Sequence, residues 1–215
     1  FFTPETVAKE QGIIGQEIKM YEDNPNWRVL FNMLGEMFEN HPVKIDIAGT
    51  KGSIAQITAD MLFSCYDTFY NLSNMALAVA GNTNVDEVLE VADRLLEKGE
   101  PVTVERVFKD EPDTIVKEYI EAHLPVATPV FCLGYKEKLD APVKTLAEEV
   151  AMSVILDVAA GQMSPLYKEL LDEGLINGTF STEFFNGYNY AASIFSGESA
   201  DPKAVALRID KCLKE

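Results

Sequence analysis

Two glutamates, Glu10 and Glu17, are the residues of this 215-residue chain best placed to do chemistry together. They stand seven apart, so on an α-helix they are two turns from one another and within about 20° of the same line. With Glu10 as zero, Val7, Ile14 and Tyr21 fall within about 60° on one side and Ile13 about 60° away on the other, while Gln16 and Lys19 lie on the far side. Carboxylates inside an apolar stripe are unfavourable unless a cation, a metal or a hydrogen-bond donor meets them. On helical geometry alone two uses stay open: metal-binding carboxylates, or edge glutamates that reach solvent or a lysine. The other candidate ligands offer less. His41 and His123 lack a second histidine or a glutamate at ligand spacing and read as structural. Cys65, Cys132 and Cys212 are odd in number, far apart and without a C-x-x-C pair, which argues against a thiolate site or a disulfide framework. They read as small buried hydrophobes in a reducing compartment.

The elements that must position Glu10 and Glu17 begin with a helix over 5–22. Asn24-Pro25 then opens a second helix carrying Trp27, Leu30, Phe31, Leu34 and Phe38, which His41-Pro42 stops. A loop at 49–52 precedes a helix capped by Thr58. Asn74 to Gly81 alternates Met75, Leu77 and Val79 with alanines and predicts a buried strand. Asn84 and Glu87 form a capping-box-like start to a helix burying Val85, Val88, Leu89 and Leu95. Polar, proline-punctuated residues 98–113 predict a linker between a first segment, 1–97, and a second, 114–215. In the second, strands are expected near 114–122 and 128–136. A long helix follows over 143–160 with Leu146, Val150, Val154, Ile155 and Val158 at helical spacing. Ser164-Pro165 caps a short helix that Gly174 ends. Asn186-Gly187 between aromatic flanks predicts a hairpin turn, and Asp201-Pro202 starts a helix running to Glu215. The pattern is α+β with mainly antiparallel sheets and packed helices.

Hydrophobic residues at 47% and charged ones at 25% exclude a disordered or fibrous class. No apolar run approaches the roughly 20 residues of a membrane span. A net charge of -17 argues against nucleic acid and anionic membrane as partners and suits an acidic cytoplasmic protein. The opening Phe1-Phe2-Thr3-Pro4 is not a signal peptide, and the chain is expected to start inside a longer one.

The run Glu10-Gln11-Gly12-Ile13-Ile14-Gly15-Gln16-Glu17 resembles the Glu-x6-Glu helix of the pitrilysin (insulinase) family of zinc metallopeptidases. Further along, His41-Pro42, Gly49-Thr50, Ser53-Ile54, Ile57-Thr58, Asn74-Met75 and Ala78-Val79 resemble that family in order and spacing, as does Met163 to Leu170. The resemblance implies that Glu17 is a zinc ligand and Glu10 its support. It also implies a zinc-dependent parent that cleaves peptides, and family-type domains divided at the linker.

Two departures qualify the expectation. The family's His-x-x-Glu-His motif, which supplies two zinc ligands and the general base, is absent from this sequence. The chain by itself is therefore expected to hold no zinc, to carry no catalytic residue and to be inactive. Where many family members place an Arg and a Tyr that reach the substrate carbonyl, this chain has Leu171 and Asn177. The nearest resemblance is then to bacterial members that pair with an unlike subunit, which would supply both donors. The rival readings are a non-catalytic scaffold of the same family and an acidic peptide-binding module.

Overall fold

The computed structural model describes residues 1–96 and 99–214. Glu97, at the end of the expected first segment, Lys98, the first linker residue, and Glu215 lie outside the described residues. The chain forms two compact units, which interleave along the sequence: residues 1–15 with 51–107, and residues 16–50 with 108–215.

The larger unit is built on a three-stranded antiparallel sheet, β1 (Val130–Lys136), β2 (Ser181–Gly187) and β3 (Tyr190–Glu198), in the order β1-β3-β2. As the central strand, β3 is covered on both faces, and its alternation divides the core in two. Phe195 joins Phe131, Leu156, Leu170, Val205 and Ile209, which come from β1, α6 (Leu146–Ala160), α7 (Pro165–Asp172) and α8 (Pro202–Cys212). Ala192 and Ile194 turn the other way and meet Leu34, Met37 and Phe38 from the end of α2 (Pro25–Met37). The helix starts are local and follow the sequence. Asn24, Thr145, Ser164 and Asp201 each accept a backbone N–H of the first turn, and Thr145 closes a full capping box with Glu148. Gly174, with φ +70, ends α7.

The segment between the units' elements is fastened within the larger unit by one carboxylate. Glu111 accepts the backbone N–H groups of Glu39, Asn40 and His41 at 2.8, 2.6 and 2.7 Å, just beyond α2. Its Oε1 also receives Lys136 Nζ at 2.6 Å, and the two side chains are 9% and 6% exposed. Lys136 donates further to the carbonyls of Met37, Pro112 and Thr114, and lies over the Phe38 ring. Burial pushes the Glu111 carboxyl up, but Lys136 and the three N–H groups outweigh it and hold it at about 2.

The smaller unit contains the start of α1 (Pro4–Glu22), α3 (Lys51–Ile54), α4 (Ala59–Phe69, capped by Thr58) and α5 (Val85–Leu95, capped by Asn84). Gln11 Nε2 ties α1 to the carbonyls of Ile54 and Ile57 at 2.8 and 2.9 Å.

Several expectations are corrected. Residues 75–80 and 114–122 form no strand and join no ladder among the described residues, Val116 and Lys117 donating instead to the Glu36 carbonyl, and Met75, Leu77 and Val79 are exposed. The long helix begins at Leu146, but its covered face is Leu156 and Ala160. Leu146, Val150, Val154, Ile155 and Val158 face outward. The helix is apolar nearly all round, so spacing alone could not choose its inner face. Val85, Leu89 and Leu95 are likewise exposed on α5. The hairpin turn forms two residues later than expected. Gly187 pairs with Tyr190, so the turn residues are Tyr188 and Asn189, the latter at φ 61. Gly187 is needed for another reason: a Cβ there would sit 2.5 Å from the Tyr190 ring. The last helix stops at Cys212, Lys51 and Gly52 of the expected loop at 49–52 instead begin α3, and Cys65 is exposed rather than buried.

Candidate functional site

Glu10 and Glu17 both fall on α1, two turns apart, and both are exposed. The covered side of α1 is marked by Val7 and Ile18, with the anchoring Gln11 about 20° beyond Ile18 in helical angle. On the helical projection that side centres about 80° from Glu10, so the two glutamates sit at its margin rather than inside it. Beyond them Ile13 and Met20 are 51% and 61% exposed. On the smaller unit's part of α1 Glu10 and Ile13 are thus both uncovered, and on the larger unit's part Glu17 and Met20 are.

Within the larger unit Glu17 is held. Tyr21, one turn on, donates its hydroxyl to Glu17 Oε1 at 3.1 Å. That bond and the nearby negative charge raise the pKa of the Tyr21 hydroxyl. The Tyr21 ring stacks on Trp27 with centroids 4.9 Å apart, and Trp27 Nε1 donates to Asp46 Oδ2 at 2.5 Å. Asp46 in turn accepts the Ala48 N–H at 2.9 Å. A depression lined by Ile18, Glu22, Trp27, Arg28, Phe31 and Asp46 lies against this row, with a volume of about 190 Å³. The sequence placed Tyr21 in an apolar stripe. Its spacing of four from Glu17 was the available sign of the hydrogen bond.

Among the described residues no ion pair or second hydrogen bond engages Glu17 Oε2, so the carboxylate can accept a cation through that oxygen. No three His, Cys, Asp or Glu side chains converge among the described residues on a common point for a metal. The donor set thus fits one ligand of a zinc site and no more, since three protein ligands are the usual minimum.

The remaining candidates are structural. His41 is buried, accepts the Val43 N–H at Nδ1, lies 3.0 Å from the Tyr188 carbonyl through Nε2 and stacks on Phe108. His123 is exposed. Leu171 is exposed at the edge of a depression lined also by Met163, Pro165 and Lys168, and offers no hydrogen-bond donor. Asn177 is spent locally: its amide donates to Glu198 at 2.8 Å, while its carbonyl oxygen accepts from Thr179 N and Oγ1.

An antiparallel sheet packed by helices on both faces, preceded by a helix that presents a free carboxylate oxygen, defines an α+β chain that can contribute to a metal site without completing one. A match to the family described as "Peptidase M16 inactive domain" covers residues 56–215, and the chain belongs to this family, the pitrilysin or insulinase group of zinc proteases. It is 36% identical over 219 residues to the "uncharacterized zinc protease YmfH" of Bacillus subtilis, covering 99% of this chain and 51% of that protein. The structure of an M16-like peptidase from Alicyclobacillus acidocaldarius superposes on all of the chain with a TM-score of 0.92 and 38% identity, and the match takes in 52% of that chain. A protease from Helicobacter pylori shares the fold at a TM-score of 0.81, at 16% identity. The chain spans about half the length of these relatives. Glu10 and Glu17 lie before the stretch matched to the family, while the Bacillus and Alicyclobacillus relatives align across them.

Proposed function

We propose that this chain is part of a zinc-dependent metallopeptidase, to which it contributes Glu17 as a zinc ligand and Glu10 as the support of that ligand. The observation that carries this reading is the free oxygen of Glu17 on α1, in a chain whose 36% identical relative is named a zinc protease. Zinc would supply a water of lowered pKa and polarise the scissile carbonyl. This chain's own share is to present one carboxylate oxygen in a fixed direction. The two histidines and the water-activating glutamate of the family motif are absent from its sequence, so the chain alone does not hydrolyse peptides.

The parent is further proposed to act on peptides with an unlike family subunit. Leu171 and Asn177 support this, because neither provides a donor for the oxyanion of a tetrahedral intermediate. One such donor is worth about 3 to 4 kcal/mol of transition-state stabilisation. A second copy of the same chain would repeat the gap. The rival reading, a non-catalytic scaffold, draws on the family's own description as an inactive domain. We also propose a cytoplasmic location, on the three unpaired, widely spaced cysteines.

Cleavage of a fluorogenic peptide separates these readings. The 215-residue chain with zinc should be inert, and the longer protein alone slow. Adding a family subunit that carries Arg and Tyr should raise the rate. Full activity of the longer protein alone would refute the two-subunit proposal, and chelator-sensitive turnover by the 215-residue chain would refute the assignment of its role.

A further inference from the structure

We propose that Tyr21 is a positioning residue for the zinc-binding carboxylate, and that Trp27 and Asp46 hold Tyr21 in place for that task. The inference rests on the reading of Glu17 as a zinc ligand. A glutamate on an exposed helix face ordinarily samples several rotamers, and a ligand that must be ordered at the moment of binding binds less tightly than one already ordered. Here the rotamer is selected in advance. The Tyr21 hydroxyl bonds to Oε1 at 3.1 Å and leaves Oε2 for the metal. Tyr21 cannot swing away without losing its stack on Trp27, whose ring plane is inclined by only 25° to its own. Trp27 is fixed by its Nε1–H to Asp46 and by contact with Phe31 at 5.0 Å between centroids. Asp46 is fixed in turn by the Ala48 N–H. The row Asp46, Trp27, Tyr21, Glu17 thus runs without a gap from a loop to one carboxylate oxygen, all inside the larger unit. Hydrogen bonds from neighbouring groups to a metal ligand fix its orientation, and their loss typically lowers metal affinity about 10- to 100-fold.

The test uses the longer protein with zinc, and again with cobalt(II) in place of zinc, in four forms: unaltered, Glu17→Ala, Tyr21→Phe and Trp27→Phe. Tyr21→Phe keeps the ring and its stack and removes only the hydroxyl. The expected results are loss of zinc in Glu17→Ala and about tenfold weaker zinc binding in Tyr21→Phe. Tyr21→Phe should also show a changed visible spectrum of the cobalt form and an unchanged melting temperature of the metal-free protein. Trp27→Phe should weaken zinc binding in the same direction by less. Unaltered affinity and cobalt spectrum in Tyr21→Phe, with zinc lost in Glu17→Ala, would overturn this inference and leave the ligand assignment standing. Weakened binding with an unchanged cobalt spectrum and a lowered melting temperature would overturn it as well. Full zinc retention in Glu17→Ala would overturn both.

Discussion

Replacing Lys136 by Met leaves the buried Glu111 carboxylate without its cation, and the structure sets the size of the effect. Both side chains are less than a tenth exposed, and the carboxylate also binds three backbone N–H groups that follow α2. Breaking a buried pair by removing one partner typically destabilises by 3 to 5 kcal/mol, because the surviving charge is left in a poor environment. The proton equilibrium gives a similar figure. Glu111 is held at about 2 in the folded state against 4.5 for the ordinary carboxyl, and each unit is worth about 1.4 kcal/mol, so its contribution is about 3 kcal/mol. The sign follows from the lowered folded pKa: the stabilisation is complete above about 4.5 and is lost as pH falls from there towards about 2. The single tryptophan, Trp27, belongs to the same unit and reports its unfolding in urea by fluorescence. Lys136→Met should unfold at lower urea at pH 7 by about 3 kcal/mol or more, and the difference from the unaltered chain should shrink as pH falls below 4. The double change Glu111→Gln with Lys136→Met should recover part of the loss. A loss below about 1 kcal/mol at pH 7, or one independent of pH down to 2.5, would refute the reasoning.

Other expectations concern packing and faces. Gly197→Ala should destabilise by about 1 to 3 kcal/mol and more than Gly134→Ala, because the new Cβ meets the Phe180 backbone at 2.9 Å in the first case and the movable ends of Met33 and Met37 in the second; chemical denaturation of the two variants decides the order. On α6, Leu156→Ala should lose about 2 to 5 kcal/mol while Val154→Glu stays within about 0.5, and Val154→Glu should reduce dye binding to exposed apolar surface. Equal losses at both positions would contradict the face assignment. Arg208→Met should leave the melting temperature nearly unchanged, since its pairs with Glu169 and Glu173 face solvent; a thermal melt measures it.

The sequence carried the local signals and missed what depends on neighbours. Asn24, Thr58, Asn84, Ser164 and Asp201 cap helices as their types demand, because a cap is settled within one turn. The inner face of α6 was not legible, since apolar residues surround the helix and only the sheet decides which of them are covered. The turn slipped from Asn186-Gly187 to Tyr188-Asn189 because strand register is fixed by the pairing of β2 with β3, not by the turn residues alone. At the candidate site, the spacing of Glu10 and Glu17 on α1 was readable, but their place at the margin of the covered side, not inside it, was not. The stack of Tyr21 on Trp27 and the bond from Trp27 to Asp46 were not, since they join residues up to 19 apart that only the folded chain brings together.

The position of the zinc relative to Glu17 decides most directly whether this chain supplies a metal ligand. Crystals of the longer protein grown with zinc, measured at the zinc absorption edge, locate the metal from its anomalous signal. The predicted result is one strong peak about 2.0 to 2.2 Å from a Glu17 carboxylate oxygen, with the Tyr21 hydroxyl still bonded to the other oxygen. A fully occupied zinc peak beyond about 4 Å from both oxygens of Glu17 would contradict the claim that this chain supplies a zinc ligand.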